Sequence, residues 1–270
     1  MRYYLIIHLI IVLSVNTYSQ CNYTNTTFSS GEEVNYNVYY HLGFMWFNAA
    51  EVNFKVEPTV YKNSKAFRFI SKGQTKPNYA WIYKVRDRYE SIADSVTLNS
   101  LYFLRNTNEG NFSVNNSYKF NYSDSLIFSK IENSETQLYY DTIKMCSCTF
   151  DVLTAVYACR NINYSTLSYS DTIPLNMVVD NKIYNLYLRY IGIENAQIDD
   201  GTEFRCRKFK ILMVKGSIFS GGEDIILWIT DDKAKVPICV EAKILVGSII
   251  ARVKSIKGNK WQLTSKTIVH

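Results

Sequence analysis

The sequence predicts a mainly β protein: an antiparallel curved sheet, as an open barrel or a sandwich, with one short buried helix near residues 149–161. Three observations carry this. Short runs of alternating apolar and polar residues recur along the chain, separated by turns rich in Asn, Ser, Gly and Asp. The 22 Tyr and 14 Phe stand against only four Pro, a balance that suits strands and polar turns. One stretch, CTFDVLTAVYACR at 148–160, breaks the two-residue alternation and is apolar nearly all round.

The N-terminus predicts an export signal. Arg2 precedes an apolar run over 5–13, interrupted only by His8, and Thr17-Tyr18-Ser19 then resembles a small-residue cleavage site, placing cleavage between Ser19 and Gln20. The apolar run is shorter than the ~20 residues that span a bilayer. Cys21 stands where a lipidated cysteine would, but Gln20 before it is not small, which disfavours lipid anchoring. No later segment is long and apolar enough for a transmembrane helix, so no span is expected after cleavage. Residues 20–30, rich in Asn, Thr and Ser, are expected to form a flexible N-terminal segment. Residues 31–270 then form a single β-rich domain, or two β subdomains joined by the helix.

Val34, Tyr36, Val38 and Tyr40 share one face of the first strand, and Ala50, Val52, Phe54 and Val56 share one face of its partner. Gly43 makes the hairpin turn and Pro58 ends the second strand. Further strands are expected at 66–71, 80–93, 100–104, 118–122, 126–131 and 139–143. The helix follows. Thr149 or Ser147 serves as its N-cap, Asp151 complements the positive end of its dipole and Arg160 the negative end. These two charges are nine residues apart, too far to pair along a helix. They are accounted for as structural helix ends, and on the dipole alone Asp151→Asn costs on the order of 0.3–1 kcal/mol. Strands resume at 182–190, 204–215, 225–230, 236–243 and 247–253, with Asp199-Asp200-Gly201 and Gly221-Gly222 as turns, and a last strand lies near 261–269.

Composition excludes several functions. The formal charge of +6 falls to +5 once Arg2 is removed, and it is spread without runs of like charge, so nucleic-acid binding has no footprint. After cleavage the only histidines are His41 and the terminal His270, which excludes a histidine-built metal site and leaves a catalytic triad almost nothing to use. No phosphate loop or nucleotide fingerprint is present. The acidic pairs Glu32-Glu33, Asp199-Asp200 and Asp231-Asp232 are expected to be solvated turn residues, since neighbours in a strand point to opposite faces. No catalytic residue, metal ligand or cofactor is therefore assigned. The six cysteines are expected to be buried or structurally paired, and Cys146-Ser-Cys148 is not a redox motif. Tryptophans in strands are core when buried and a sugar or lipid platform when exposed. Trp46, Trp81 and Trp228 are the candidates to line a ligand site.

Several segments together resemble the exported bacterial family known as domain of unknown function 3108. They are Gly31-Glu32 before the 34–40 strand, Asp87-Arg88-Tyr89-Glu90-Ser91, Phe150-Asp151-Val152-Leu153 leading to Tyr157 and Arg160, CRKFKILMVKGSIF at 206–219, LWITDD at 227–232, Pro237, and KILVGSI at 243–249. The resemblance implies an envelope protein of antiparallel β architecture, in the periplasm or at the outer-membrane periphery, and transfers no catalytic residue. The export signal with Gln after the cut also looks like that of Bacteroidetes-type bacteria, which O-glycosylate triplets such as Asp94-Ser95-Val96 and Asp141-Thr142-Ile143. The first functional expectation is non-enzymatic binding of a lipid or other amphiphilic ligand in the concave face of the sheet. The second is an interaction module for another envelope protein, and the third a carboxylate-based glycan hydrolase.

Overall fold

The computed structural model describes residues 23–214 and 221–267. The first half is an eight-stranded meander: β1 (Glu33–Leu42), β2 (Met45–Tyr61), β3 (Ser64–Thr75), β4 (Val85–Asp94), β5 (Ser100–Glu109), β6 (Phe112–Asn121), β7 (Leu126–Ile131) and β8 (Tyr139–Lys144). A two-residue strand, β9 (Thr149–Phe150), leads into the helix α1 (Val152–Cys159). The second half comprises β10 (Thr172–Val179), β11 (Lys182–Gln197), β12 (Glu203–Met213), β13 (Gly222–Thr230), β14 (Pro237–Lys243), β15 (Ser248–Lys257) and the short β16 (Lys266–Thr267).

These strands make one sheet in the order β8-β7-β6-β5-β4-β3-β2-β1-β15-β14-β13-β12-β11-β10-β9, with β16 added beside β12. Every pair is antiparallel except β9 with β10. The two halves join where β1 pairs β15, from Glu33 opposite Lys257 to His41 opposite Ser248. The two edges, β8 and β9, are consecutive in the chain and linked only by residues 145–148. That link reaches at most about 17 Å, so the sheet must curl until its edges nearly meet. The β10–β11 turn stitches this seam. Asn181 donates from Nδ2 to the Asp141 carboxylate at 2.7 Å and from its backbone N to the Tyr118 hydroxyl at 3.0 Å, and Asp180 pairs with Arg105 at 2.9 Å.

Local chemistry fixes the hairpins. Lys62-Asn63 and Asp180-Asn181 both sit at positive φ, which makes the two-residue turns that match strand twist. Gly247 is required for a different reason: a Cβ there would lie 2.3 Å from the His41 carbonyl oxygen.

The interior of the curled sheet is filled at one end by α1. Asp151 is its N-cap, accepting from the backbone N–H groups of Leu153 at 2.9 Å and Thr154 at 2.8 Å. The helix is apolar all round because it packs in two directions. Leu153 and Tyr157 enter a cluster with Val56, Phe69, Phe103 and Ile127 of the first half. Ala155, Ala158 and Cys159 enter a second cluster with Leu175, Leu188, Phe209 and Ile229 of the other half. Within the 20–30 stretch, Phe28 is buried edge-on against Phe69 and Tyr157.

Sequence reading and structure differ at five points. Pro58 does not end β2, which runs on to Tyr61. The β1 side of β2 is unpaired beyond Val56, so no ladder N–H is needed at Pro58. The 80–93 strand begins only at Val85, because Pro77 opens a 3-10 turn over Pro77–Tyr79 that carries the chain round. Strand β10 is not anticipated by alternation, and its Pro174 is tolerated because β9 pairs only with Asn176 and Met177. Of the strand expected near 261–269, the described residues form only Lys266–Thr267, and 268–269 lie outside them. The helix is capped by Asp151, not by Thr149, whose hydroxyl bonds the Cys146 carbonyl, and not by Ser147.

Candidate functional site

The end of the interior away from α1 is open. Register aligns its inward-facing residues across β1 to β4: Val38 lies opposite Ala50, Ala50 opposite Thr75, Val52 opposite Gly73, and Gly73 opposite Asp87. These side chains are too small to fill the space. They wall a cavity of about 690 Å³, completed by Tyr40 and Phe47, by Tyr79, Ile82 and Tyr83 from the β3–β4 link, and by Ile244, Leu245 and Val246 from the β14–β15 loop. Its lining is almost wholly apolar. That size, with few polar groups, matches pockets that bury small organic ligands. A Cβ on Gly73 would stand 3.5 Å from the Val52 methyl and 3.9 Å from the Asp87 Cβ. The glycine therefore keeps the floor of the cavity open without its backbone requiring it.

Asp87 is the one acid in the wall. Burial, and next the nearby Glu109 carboxylate, raise its pKa to about 6, while the Asn108 backbone N–H at 3.3 Å and the Arg105 charge oppose the rise. A second depression, over β1 to β5 and β15, is polar. Several of its charges are already paired, including Lys254 with Glu51 and Lys55 with Glu57, each at 2.9 Å.

None of the three tryptophans lines the apolar cavity. Trp46 is half exposed beside it, stacked on His41 at 4.3 Å with the Arg252 guanidinium 5.8 Å from its ring. Trp81 projects from the β3–β4 link and donates to the Asn78 carbonyl at 3.0 Å. Trp228 is buried on β13, donating to Glu194 at 3.1 Å with Lys208 over its ring. Their sequence neighbours Phe47 and Ile82 reach the cavity instead. The sequence carried a signal for Gly73, an isolated glycine inside an alternating strand, which marks a close approach or a ligand.

Asp151 and Arg160 sit at the two ends of α1, deep in the opposite end of the barrel. The Asp151 carboxylate accepts from the hydroxyls of Ser91, Ser100 and Thr154 at 2.6–2.7 Å besides the two helix N–H groups. Burial raises its pKa, and the Ser100, Thr154 and Ser91 bonds resist the rise. The dipole alone therefore understates its role. Arg160 makes a two-pronged pair with Glu32, at 2.5 and 3.0 Å, donates to the Ala234 carbonyl at 2.9 Å, and holds its guanidinium 5.4 Å from the Phe28 ring and 5.7 Å from the Tyr157 ring. Both partners are almost fully buried. Glu32 is thus no solvated turn residue: its strand entry points inward, where the helix-end arginine needs a counter-ion. Asp231 and Asp232 are likewise engaged, the first by Arg205 and Arg207, the second by Thr230, the Ala234 N–H and Ser265. Asp199 accepts from Asn37 at 2.5 Å, and only Asp200 remains a simple turn residue, accepting from the Thr202 N–H at 2.9 Å.

Cys148 is disulfide-bonded. Cys146 is free and exposed; Cys159, Cys206 and Cys239 are free and buried, and burial pushes their thiols up to about 12, 12 and 11. Among the described residues no cluster of His, Cys, Asp and Glu has the geometry to hold a metal ion, and no helix is long and apolar enough to cross a membrane. Ser19, Gln20 and Cys21 lie outside the described residues.

Comparison with known proteins agrees with this architecture. A family model described as "Protein of unknown function (DUF3108)" matches residues 35–254. Among solved structures, the chain is similar to the crystal structure of a beta-barrel-like protein of domain of unknown function DUF1849 from Brucella abortus. The TM-score is 0.52 at 6% identity, covering 84% of this chain and 96% of that one. At that identity the likeness concerns the fold alone. No curated protein matches.

Proposed function

We propose that this chain, which belongs to the DUF3108 family, is a non-enzymatic protein of the cell envelope that holds an apolar or amphiphilic ligand inside its curled sheet. The observation that carries this reading is the cavity of about 690 Å³ at the open end of the interior. Its walls offer dispersion contacts and exclusion of water, which suit an acyl chain or an aromatic body, and a single carboxylate supplies little orientation for a polar substrate. The acids that sequence alone offers to a glycosidase are tied into ion pairs, caps and hydroxyl contacts, which weighs against the hydrolase reading. Export rests on the signal at residues 1–19.

The test is native and denaturing mass spectrometry of the protein purified from its own host envelope. Extra mass that leaves on denaturation, identified as a lipid or other amphiphile, is the expected result. A bare native mass, together with no binding of the apolar fluorophore N-phenyl-1-naphthylamine, would sink the proposal.

A further inference from the structure

Three hairpin tips that are neighbours round the barrel meet at the mouth of the cavity: β1–β2, β3–β4 and β14–β15. Each carries large apolar side chains into solvent. Phe44 is 91% exposed, Trp81 82%, Ile82 64%, Leu245 63% and Val246 61%. Isolated apolar residues on a surface need no explanation, but a contiguous rim of them does.

The rim is held in place. The Tyr40 hydroxyl donates to the Val246 carbonyl at 3.1 Å, tying β14–β15 to β1. The Lys76 N–H donates to the Ala49 carbonyl at 2.8 Å, and Phe47 meets Tyr79 edge-on at 6.2 Å, tying β3–β4 to β2. Trp46 stacks on His41 at 4.3 Å, with the Arg252 guanidinium 5.8 Å from its ring.

Its charge has one sign. Segments 41–46, 76–84 and 243–247 contain Lys76, Lys84 and Lys243 and no acid. Lys76 lies 3.7 Å from Glu51. Lys84 and Lys243 are exposed and make no ion pair with another described residue. Of the acids on the adjoining tips, Glu109 is 4.0 Å from Arg105 and Glu223 is 2.5 Å from Arg189, while Asp224 precedes Ile225, which lies opposite Ala242, and so comes beside Lys243 in register.

We infer that this rim docks on an anionic lipid surface, with Phe44 and Trp81 entering the interfacial layer and Lys84 and Lys243 facing lipid phosphates. Exposed Trp, Tyr and Phe flanked by lysine suit that layer, where aromatic rings are half solvated and cations meet anionic headgroups. The inference deepens the proposed function and rests on it: Ile82, Leu245 and Val246 belong both to the rim and to the cavity wall, so a docked surface delivers an acyl chain straight to the cavity mouth.

The experiment is co-sedimentation of the protein with vesicles of phosphatidylglycerol and phosphatidylethanolamine, set against vesicles of phosphatidylcholine. N-phenyl-1-naphthylamine binding in vesicle-free buffer is read in parallel. Expected are binding to the anionic vesicles, at least tenfold loss in Phe44→Glu/Trp81→Glu, a several-fold loss in Lys84→Glu/Lys243→Glu, and unchanged fluorophore binding in both. These four residues do not wall the cavity, so the fluorophore also reports that each variant is folded. Fluorophore binding without wild-type vesicle binding overturns the docking inference and leaves the cavity reading standing. Vesicle binding that survives Phe44→Glu/Trp81→Glu overturns it as well, as does a stoichiometric protein complex formed through the rim without lipid. Vesicle binding without fluorophore binding sustains the docking surface and, with a bare native mass, sinks the cavity reading.

Discussion

The same inward face is closed at one end of the barrel and hollow at the other. Along β3 it reads Phe67, Phe69, Ser71, Gly73, Thr75, and two aromatic rings give way to small side chains towards the open mouth. At the closed end Phe69 stacks on Tyr157 of α1 with centroids 4.0 Å apart, and a buried ion pair locks the helix to the start of β1. At the open end Gly73, Ala50 and Val52 leave space. The difference teaches how one meander serves two purposes: bulk on a strand recruits a plug, and its absence leaves a receptacle. The plug and the cavity thereby occupy separate regions, and each is open to alteration alone.

The sharpest way to break that separation is at the ion pair. Arg160→Ala strands Glu32 as a buried uncompensated charge and is expected to cost about 3–5 kcal/mol, read as a fall in the urea midpoint. Glu32→Leu/Arg160→Met removes both charges and should recover most of the loss. If the single and double variants are equally unstable, the pair is not what secures the helix. Next in size is Asp151→Ala, which removes the cap and leaves three buried hydroxyls without their acceptor, at about 1–3 kcal/mol. Thermal unfolding measures it, and fluorophore binding at a temperature where the variant is folded should stay the same. Loss of binding in the folded variant would join the two ends that the structure keeps apart.

At the open end, Gly73→Leu should lower N-phenyl-1-naphthylamine affinity at least tenfold while changing stability by no more than about 1 kcal/mol, since a strand glycine is itself unfavourable. Retained affinity would move the binding site elsewhere. The smallest effect concerns pH. The Asp87 pKa is raised in the folded protein, so its contribution to stability is present below about pH 4 and lost as pH rises through about 6. A neutral apolar probe buries the same carboxyl further, so its affinity should tighten a few-fold as pH falls through about 6. Asp87→Asn should bind at pH 7 as the wild type does at pH 5. A pH-independent wild type would remove Asp87 from the wall.

Much of the scaffold was legible in the sequence. The 126–131 strand and the all-round apolar helix follow from periodicity, and the family resemblance followed from motifs in order. The site was less so. Exposure cannot be read from residue type, and Trp228 and Trp81 look alike in sequence while one is buried and the other bare. Glu32 resembled a turn acid because its partner is 128 residues away. The cavity itself is a missing volume, and a sequence spells out side chains, not the gaps between them. Its one local trace was Gly73.

The β1–β15 pairing also has a kinetic side. Residues more than 200 positions apart must meet before the sheet is continuous. Sheets closed by such distant contacts fold slowly, roughly in milliseconds to seconds, because loop closure precedes any reward. Until Lys257 has emerged from the ribosome, β1 and the last strand formed each present a naked edge. Newly made chain is therefore exposed to strand-mediated aggregation over almost its whole synthesis, and a truncation before β15 is expected to accumulate as aggregate instead of as a smaller barrel.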